Sequence, residues 1–526
     1  MLSKRHPDSL LHPVGEPSSV TESSQTDTIP IETPGGIFHV RLDPDAQVSQ
    51  YGGLIPFLQF LEASGLLKAW EDDCPLHRTS PNASSLRALL GTWVTAVTAG
   101  QSRYAHITAV RGDLVIPQVL GCKRLVSEDT IRRNIGALVG DYMKDDPEAQ
   151  EAARSLSTAW VRRHLLASVA PLLQESWVLD IDVTVKPLYG YQEGSVVGHN
   201  PHKPGRPSHA IHSFLIGRLR LLLDAVTHPG DQHTSATTIG DLRVLLDDLP
   251  GDRLPSLVRG DCGFGTEDMM TFCESRGLDF LFKQRQTRRT RAMVQLVDHS
   301  QEWIDAGQGW QATESTLELS TWSRRRRAVV LRRRARQRYP RRADIEKEDQ
   351  PKQKCMAECE PFITDDDFEY QVLVTSLTAE LCTIAQLYRD RADAENVFDE
   401  LKNHWGWGGF TSRSFEVTRM AARMVAQVYN WWSIFVRILS PEHHREAVTA
   451  RPVLLHSIAR QTGSGGQRFL CITSTHRWKR RIAEALAAIN AYFARFVKNA
   501  EQLTWFQRWK TLLRDIFHRA RAPDTA

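Results

Sequence analysis

The sequence predicts an α/β protein: a mixed sheet interrupted by a β-rich insertion and flanked by helical regions. Three observations carry this. The run WVLDIDVTV (Trp177 to Val185) has the β-branched, apolar character of a buried strand. Two further apolar runs, HAIHSFLIG and LRLLLDAVTH, meet at Arg218-Leu219 with a tight turn between them, as a hairpin does. After the hairpin, strand and helix patterns alternate, which calls for parallel βαβ pairing in the same sheet.

The later elements follow in order. Thr238 to Asp248 reads as a helix, Ser256 to Gly260 as a strand, Thr266 to Arg276 as a helix and Leu278 to Lys283 as a strand. Gln311 to Ser320, Ala328 to Arg332 and Glu369 to Ser376 are strand-like, the last returning to the core. Upstream, GLIPFLQFLEASGLL, SSLRALLGTWVTAVTA and SEDTIRRNIGALVGDYMK are helical, the last opening on a Ser cap with acids in its first turn. Downstream, ARMVAQVYNWWSIFVRIL reads as a buried helix in which Trp431 and Trp432 are core residues. At 526 residues the chain exceeds one comfortable core. The expected division is a disordered Ser/Thr/Pro-rich tail over 1–40, a helical, DNA-binding domain over 41–172, a core over 173–285 and 368–440, a basic insertion subdomain over 286–367, and a helical region over 441–526.

Composition excludes some classes. No stretch is long enough to span a membrane, and the N-terminus lacks the apolar segment of a signal peptide. Eight scattered cysteines give no disulfide framework. Net charge is only +4, so the run SRRRRAVVLRRRARQRYPRR (Ser323 to Arg342) concentrates the basicity. Concentrated charge tracks a phosphate backbone, and Val329, Val330 and Leu331 give the run a strand pattern. A solvated face is the ordinary use of such a run, and both uses stand at this level. Arg324, Arg325, Arg326 and Arg327 are its candidate DNA contacts.

Chemistry is signalled by acids in three places. Asp180 and Asp182 alternate along the first strand and so share a face, where unpartnered carboxylates are costly. Asp261 ends the second-motif strand before a Gly-rich turn, where open α/β sheets place active groups, although capping is a common use of Asp there. In LYRDRADAENVFDELKNH, Tyr388, Arg391, Glu395 and Lys402 stand at offsets 0, 3, 7 and 14. At about 100° per residue these share one stripe of a single helix. Such a stripe suits a metal-bound phosphodiester: a carboxylate for Mg²⁺, two cations for phosphate oxygens and a phenol to donate a hydrogen bond. The alternative is an exposed face of i,i+4 ion pairs. Together Asp182, Asp261 and Glu395 form a triad able to hold two Mg²⁺ ions for in-line attack at phosphorus.

These motifs resemble the DDE transposases of bacterial insertion sequences, in the group whose third acid lies in a Y-R-E-K signature. Tyr388, Arg391, Glu395 and Lys402 keep its spacing of two, three and six intervening residues, Asp182-Val183-Thr184 matches the first acid, and Arg259-Gly260-Asp261-Cys262-Gly263-Phe264 matches the second. The segment Gly198 to Ala210, with Lys203 and Arg206, is similar to a basic loop of the group 1 subfamily. The resemblance covers about residues 45 to 440 and leaves Asp180 as a substitute for Asp182. It implies an RNase H-like core and catalysis and metal binding by Asp182, Asp261 and Glu395, with Mg²⁺ as cofactor and Mn²⁺ as a substitute. DNA contacts by Tyr388, Arg391, Lys402, Lys203 and Arg206 are also expected. The implied partners are double-stranded DNA (terminal inverted repeats and target) and a second copy of the chain in a synaptic homodimer. The implied location is the bacterial cytoplasm, at the nucleoid. A nuclease without strand transfer, or a catalytically silent DNA-binding descendant, remains open at this level.

Overall fold

The computed structural model describes residues 29–519 except 41–42, 44, 79, 81, 174–175, 201–202, 233–234, 301, 336–361, 364–367, 465, 474–476 and 501. Two units are present, divided after Gln47. In the first, Ile29–Thr33 and Gly36–Val40 pair antiparallel as a hairpin that turns at Gly36, where φ is +108°. This corrects the expectation of a tail disordered to residue 40. Ile31 and Phe38 face each other across it, and such apolar cross-strand pairs hold hairpins together.

In the second unit, five strands form the middle of a mixed sheet: β1 (Val178–Pro187), β2 (Pro207–Ile216), β3 (Leu221–Pro229), β4 (Leu257–Gly260) and β5 (Asp279–Lys283). Their order is β3–β2–β1–β4–β5. β1, β2 and β3 are antiparallel neighbours, whereas β4 runs parallel to β1 and β5 parallel to β4. This is the mixed sheet of an RNase H-like core. The β2–β3 turn needs a left-handed residue, supplied by Arg220 at φ 52°.

The insertion does not stand apart from this sheet. β6 (Ile304–Gly307), β7 (Trp310–Leu317), β8 (Arg326–Arg334) and β9 (Phe368–Thr375) continue it, with β9 antiparallel to β5 and β8 antiparallel to β9. The result is one 11-stranded sheet, so the described part of residues 286–367 extends the core rather than forming a self-contained subdomain. The end of the basic run, from Arg336 onward, lies outside the described residues.

Six helices position the site: α1 (Pro147–Val169), α2 (Ser235–Asp248), α3 (Glu267–Ser275), α4 (Leu381–Arg389), α5 (Ala392–His404) and α6 (Phe415–Arg437). One face of the sheet presents Leu257, Leu281, Val329, Leu331 and Leu373 to Ile384 and Ala385 of α4. On the opposite face α6 grips β3: Asn430 accepts from the Leu222 N–H at 2.9 Å and donates to its carbonyl at 2.7 Å. That pairing satisfies an amide buried mid-helix, where an unmet polar group would cost about 1–3 kcal/mol. Trp431 and Trp432 are core residues, as the sequence implied.

The N-terminal helices share this core. Trp70 stacks on Trp160 of α1 at 5.2 Å, and Phe57 meets the Trp432 ring edge-on at 5.2 Å. The helix Glu128–Leu138 begins as expected, with the Ser127 hydroxyl accepting from the Thr130 N–H. The C-terminal region is not all helical. Before its two long helices, Lys479–Ala500 and Trp505–Arg519, it contains a hairpin of Ala459–Ser464 and Gln467–Ile472 that also pairs with Val48–Ser49. Among the described residues, no helix is long and apolar enough to cross a membrane.

Candidate active site

Register decides which acids can meet. In the parallel β1–β4 pair Asp180 stands beside Arg259 and Ile181 beside Gly260, so one further step places Asp182 beside Asp261. In β4–β5 Gly260 stands beside Phe282, so the same step adds Lys283. Asp182, Asp261 and Lys283 thus form one row across three adjacent parallel strands, midway along β1 and at the carboxyl ends of β4 and β5. A crevice outside strand carboxyl ends is where open sheets bind ligands.

Asp180, on the same face two residues earlier, is excluded from that row's chemistry. It is fully buried and chelated by Arg259, with Nε–Oδ1 and Nη2–Oδ2 distances both 2.7 Å. Gly217 lies so close that an added Cβ would sit 2.3 Å from Asp180 Oδ2 and 2.7 Å from Arg259 Nη2. Bidentate pairing of this kind offsets the desolvation of both charges. Of the two aspartates, Asp182 is the one that lies in the row with Asp261.

Arg259 has a second effect. Its Nη1 donates to the Leu387 carbonyl, the acceptor that Arg391 N–H would use in a continuous helix. Arg391 N–H turns to Tyr388 O at 3.1 Å instead, and the predicted single helix is broken at Asp390-Arg391 into α4 and α5. The expected stripe is corrected accordingly. Tyr388 belongs to α4, Arg391 is the cap residue of α5, and Glu395 and Lys402, two turns apart, share one face of α5.

The break aims Arg391 inward. Its guanidinium, only 3% exposed, spans Asp182 (Nη2–Oδ1 3.0 Å) and Glu395 (Nη1–Oε1 2.7 Å). Burial opposes its charge, but Asp182 foremost, then Tyr388, Asp261 and Glu395, raise its pKa and keep it cationic. Burial raises Asp182 to about 6, opposed by Arg391, raised further by Asp261, and adjusted by Lys402 and Glu395. Both other acids, with Arg391 and Lys402, therefore act on the Asp182 carboxylate. Burial also pushes the Tyr388 phenol up, so it remains a donor. The three carboxylates do not lie within 4.8 Å of one another; Arg391 joins Asp182 to Glu395 in their place. Glu395 is 66% exposed on α5. Its oxygens, with those of Asp182 and Asp261, are the hard, anionic donors that Mg²⁺ prefers.

Sequence reasoning missed three neighbours of this row. Lys283 has its pKa lowered by burial, with Asp261 and Glu395 pulling the other way. His199 is lowered by burial and by Arg285, while Asp261 raises it. Arg285 Nε donates to the Cys262 carbonyl at 3.3 Å. Lys283 could have been found from its strand-end position, which is the criterion that selected Asp261. The Cys262 sulfur is in a disulfide, which the scattered cysteine spacing did not indicate.

The basic candidates divide. Lys203 and Arg206 both approach the exposed ring of Tyr189, each 4.9 Å from its centroid, forming an outward cationic and aromatic patch. Arg324 and Arg325 are largely exposed, with single ion pairs to Glu274 (2.8 Å) and Glu318 (3.4 Å). Arg326 is corrected as a DNA contact. It is buried, with Nη1 on Glu267 at 2.6 Å and Nε on Glu274 at 3.0 Å, and it lies against Trp322. Burial would raise Glu267, but Arg326 and Ser323 hold it down at about 2. Arg327 also turns to structure, pairing with Glu314 at 3.0 Å and donating to the Leu377 and Ala379 carbonyls ahead of α4.

With this geometry in view, the chain was compared with known proteins. The model of the family described as transposase DDE domain group 1 matches residues 39–493. Among solved structures, the chain is similar to a piggyBac transposase synaptic complex with hairpin DNA, at a TM-score of 0.40 and 12% identity, over 90% of this chain and 86% of that one. No curated protein matches.

Proposed function

The chain belongs to the group 1 DDE transposase-domain family, and from that membership we propose that it cuts the ends of its own insertion element and joins them to target DNA. The observation that carries the proposal is the Asp182–Asp261 row across β1 and β4, with Glu395 tied to Asp182 through one buried guanidinium.

Asp182, Asp261 and Glu395 would hold two divalent ions, Mg²⁺ with Mn²⁺ as a substitute. Bound there, such ions activate a water or a 3′-hydroxyl and stabilise the leaving oxygen. The chain's own residues supply the rest. Arg391 exchanges its carboxylates for phosphate oxygens as the acids take up cations, so the buried charge is never left alone. Lys402 and Lys283 add positive charge beside the scissile phosphate, and Tyr388 donates a hydrogen bond. Hydrolysis breaks one P–O bond and leaves a 3′-hydroxyl. Transfer then uses that hydroxyl to displace another 3′-oxygen in the target, with no net loss of phosphodiester bonds. Lys203 and Arg206 around Tyr189, and Arg324 and Arg325 on the sheet extension, supply outward contacts to the duplex backbone. Two ends cut in concert call for two copies of the chain, and a bacterial, nucleoid-associated setting completes the reading.

The test uses purified protein, Mg²⁺, and DNA carrying the inverted repeats that flank the gene. Nicking at the element ends and joining of pre-cut 3′-hydroxyl ends are expected. Nicking without joining would leave a nuclease, and neither would refute the proposal. The pH profile is a second readout. Because Asp182 is raised to about 6 and binds a cation only when ionised, the Mg²⁺-dependent rate should fall as pH drops through about 6, by up to about tenfold per unit.

A further inference from the structure

On the opposite face of the sheet from Asp182, three side chains from three elements converge. His212 on β2, His228 on β3 and Asp241 on α2 each place one ligand atom within 4.8 Å of the other two, and they are the only such group of three among the described residues. His212 pairs with Val183 while its neighbour Ser213 pairs with Asp182, so alternation separates this cluster from the candidate active site.

The tautomer of His212 is informative. Its Nε2 lies 3.0 Å from the Gln232 carbonyl, which can only accept, so Nε2 carries the hydrogen. In the neutral ring Nδ1 is then a lone pair, and it faces Asp241 Oδ2 at 3.2 Å with the Thr238 hydroxyl at 3.1 Å. A lone pair beside a carboxylate is satisfied by a positive centre between them, which a metal ion supplies. His228 Nε2 reaches the same Asp241 oxygen at 2.7 Å, and the two imidazoles are 4.6 Å apart. An imidazole that donates its far N–H to a carbonyl while its near nitrogen meets other ligands is the usual arrangement of a metal-bound histidine.

We propose that His212 Nδ1, His228 Nε2 and Asp241 bind one zinc-class divalent ion. Two imidazoles and a carboxylate suit Zn²⁺ rather than Mg²⁺, which prefers oxygen donors. Ligands ~2.0–2.1 Å from a tetrahedral ion lie roughly 3.3 Å apart, so the His212–Asp241 spacing of 3.2 Å already fits and the His228–Asp241 spacing of 2.7 Å must widen by roughly 0.6 Å. His228 and Asp241 are 15% and 14% exposed, which provides a route of entry and room for a water as fourth ligand. Arg419 senses Asp241, and its own charge is partly met by Glu416 at 3.7 Å. The ion clamps α2 to the β2–β3 hairpin and so braces the strand paired with Asp182. The site does not depend on the transposase reading.

The full chain would be saturated with Zn²⁺ in buffer containing excess Mg²⁺, which occupies oxygen-donor sites, then freed of loose metal and assayed. One retained zinc ion per chain is expected in the wild type, with losses of at least about tenfold in affinity for His228→Ala and Asp241→Asn. Co²⁺ loading of the unmutated chain should give the visible absorption of a four- or five-coordinate ion, a readout that needs no variant to fold. Chelation should lower the melting temperature of the wild type and leave that of His228→Ala unchanged. A wild type that retains no zinc, variants that retain as much as it does, or a six-coordinate aqueous cobalt spectrum would overturn the site and leave a hydrogen-bonded cluster of two histidines and Asp241.

Discussion

A Glu395→Gln protein is expected to bind its DNA ends as the wild type does and to cut them at least about a thousandfold more slowly, a loss of about 4 kcal/mol of transition-state stabilisation. The amide keeps the shape of Glu395 and can still accept from Arg391 Nη1, which lies 2.7 Å from Oε1 in the native chain. Fold and DNA affinity should therefore survive. What disappears is an anionic oxygen for a divalent cation. Mobility shift with end DNA measures the first property and Mg²⁺-dependent nicking the second. Nicking at the wild-type rate would remove Glu395 from the metal site.

Arg259→Ala is expected to be the most destabilising of the simple substitutions near the site. It strands Asp180, a fully buried carboxylate whose partner oxygens are both 2.7 Å from the guanidinium, and it releases the Leu387 carbonyl at the end of α4. Removing one partner of a buried pair costs ~3–5 kcal/mol, whereas replacing both with apolar groups is often neutral. Denaturant unfolding should show that loss for Arg259→Ala and recovery of most of it in Asp180→Leu/Arg259→Met. Cleavage should not recover in the double variant, because nothing then diverts Leu387 O and the helix break that aims Arg391 at Asp182 is no longer enforced. A loss below about 1 kcal/mol for the single variant would mean that Arg259 does not anchor this corner.

Much of this was legible because local chemistry and tertiary role coincide. WVLDIDVTV is a strand whose alternation puts both aspartates on one face, and the β2–β3 hairpin ends where the apolar runs meet. Four features were hidden for physical reasons. The helix break at Asp390-Arg391 depends on Arg259, more than a hundred residues away in sequence, capturing one carbonyl. A charge run looks the same whether it faces solvent or acids: Arg326 and Arg327 neighbour Arg324 and Arg325, yet Glu267, Glu274 and Glu314 turn the first two to structural use. Lys283 reads in the sequence as the end of a strand, and the β4–β5 register is what sets it beside Asp261. The hairpins at Ile29–Val40 and Ala459–Ile472 sit in polar sequence with weak alternation, where pairing rather than composition fixes the strands.

Crystals soaked in Mn²⁺, with anomalous scattering used to locate the ions, test the central claim most directly. The account predicts a peak roughly 2.2 Å from oxygens of both Asp182 and Asp261, with Glu395 turned from Arg391 toward the ion. Full Mn²⁺ occupancy elsewhere, with Arg391 still bridging Asp182 and Glu395 and no peak between the two aspartates, would contradict it.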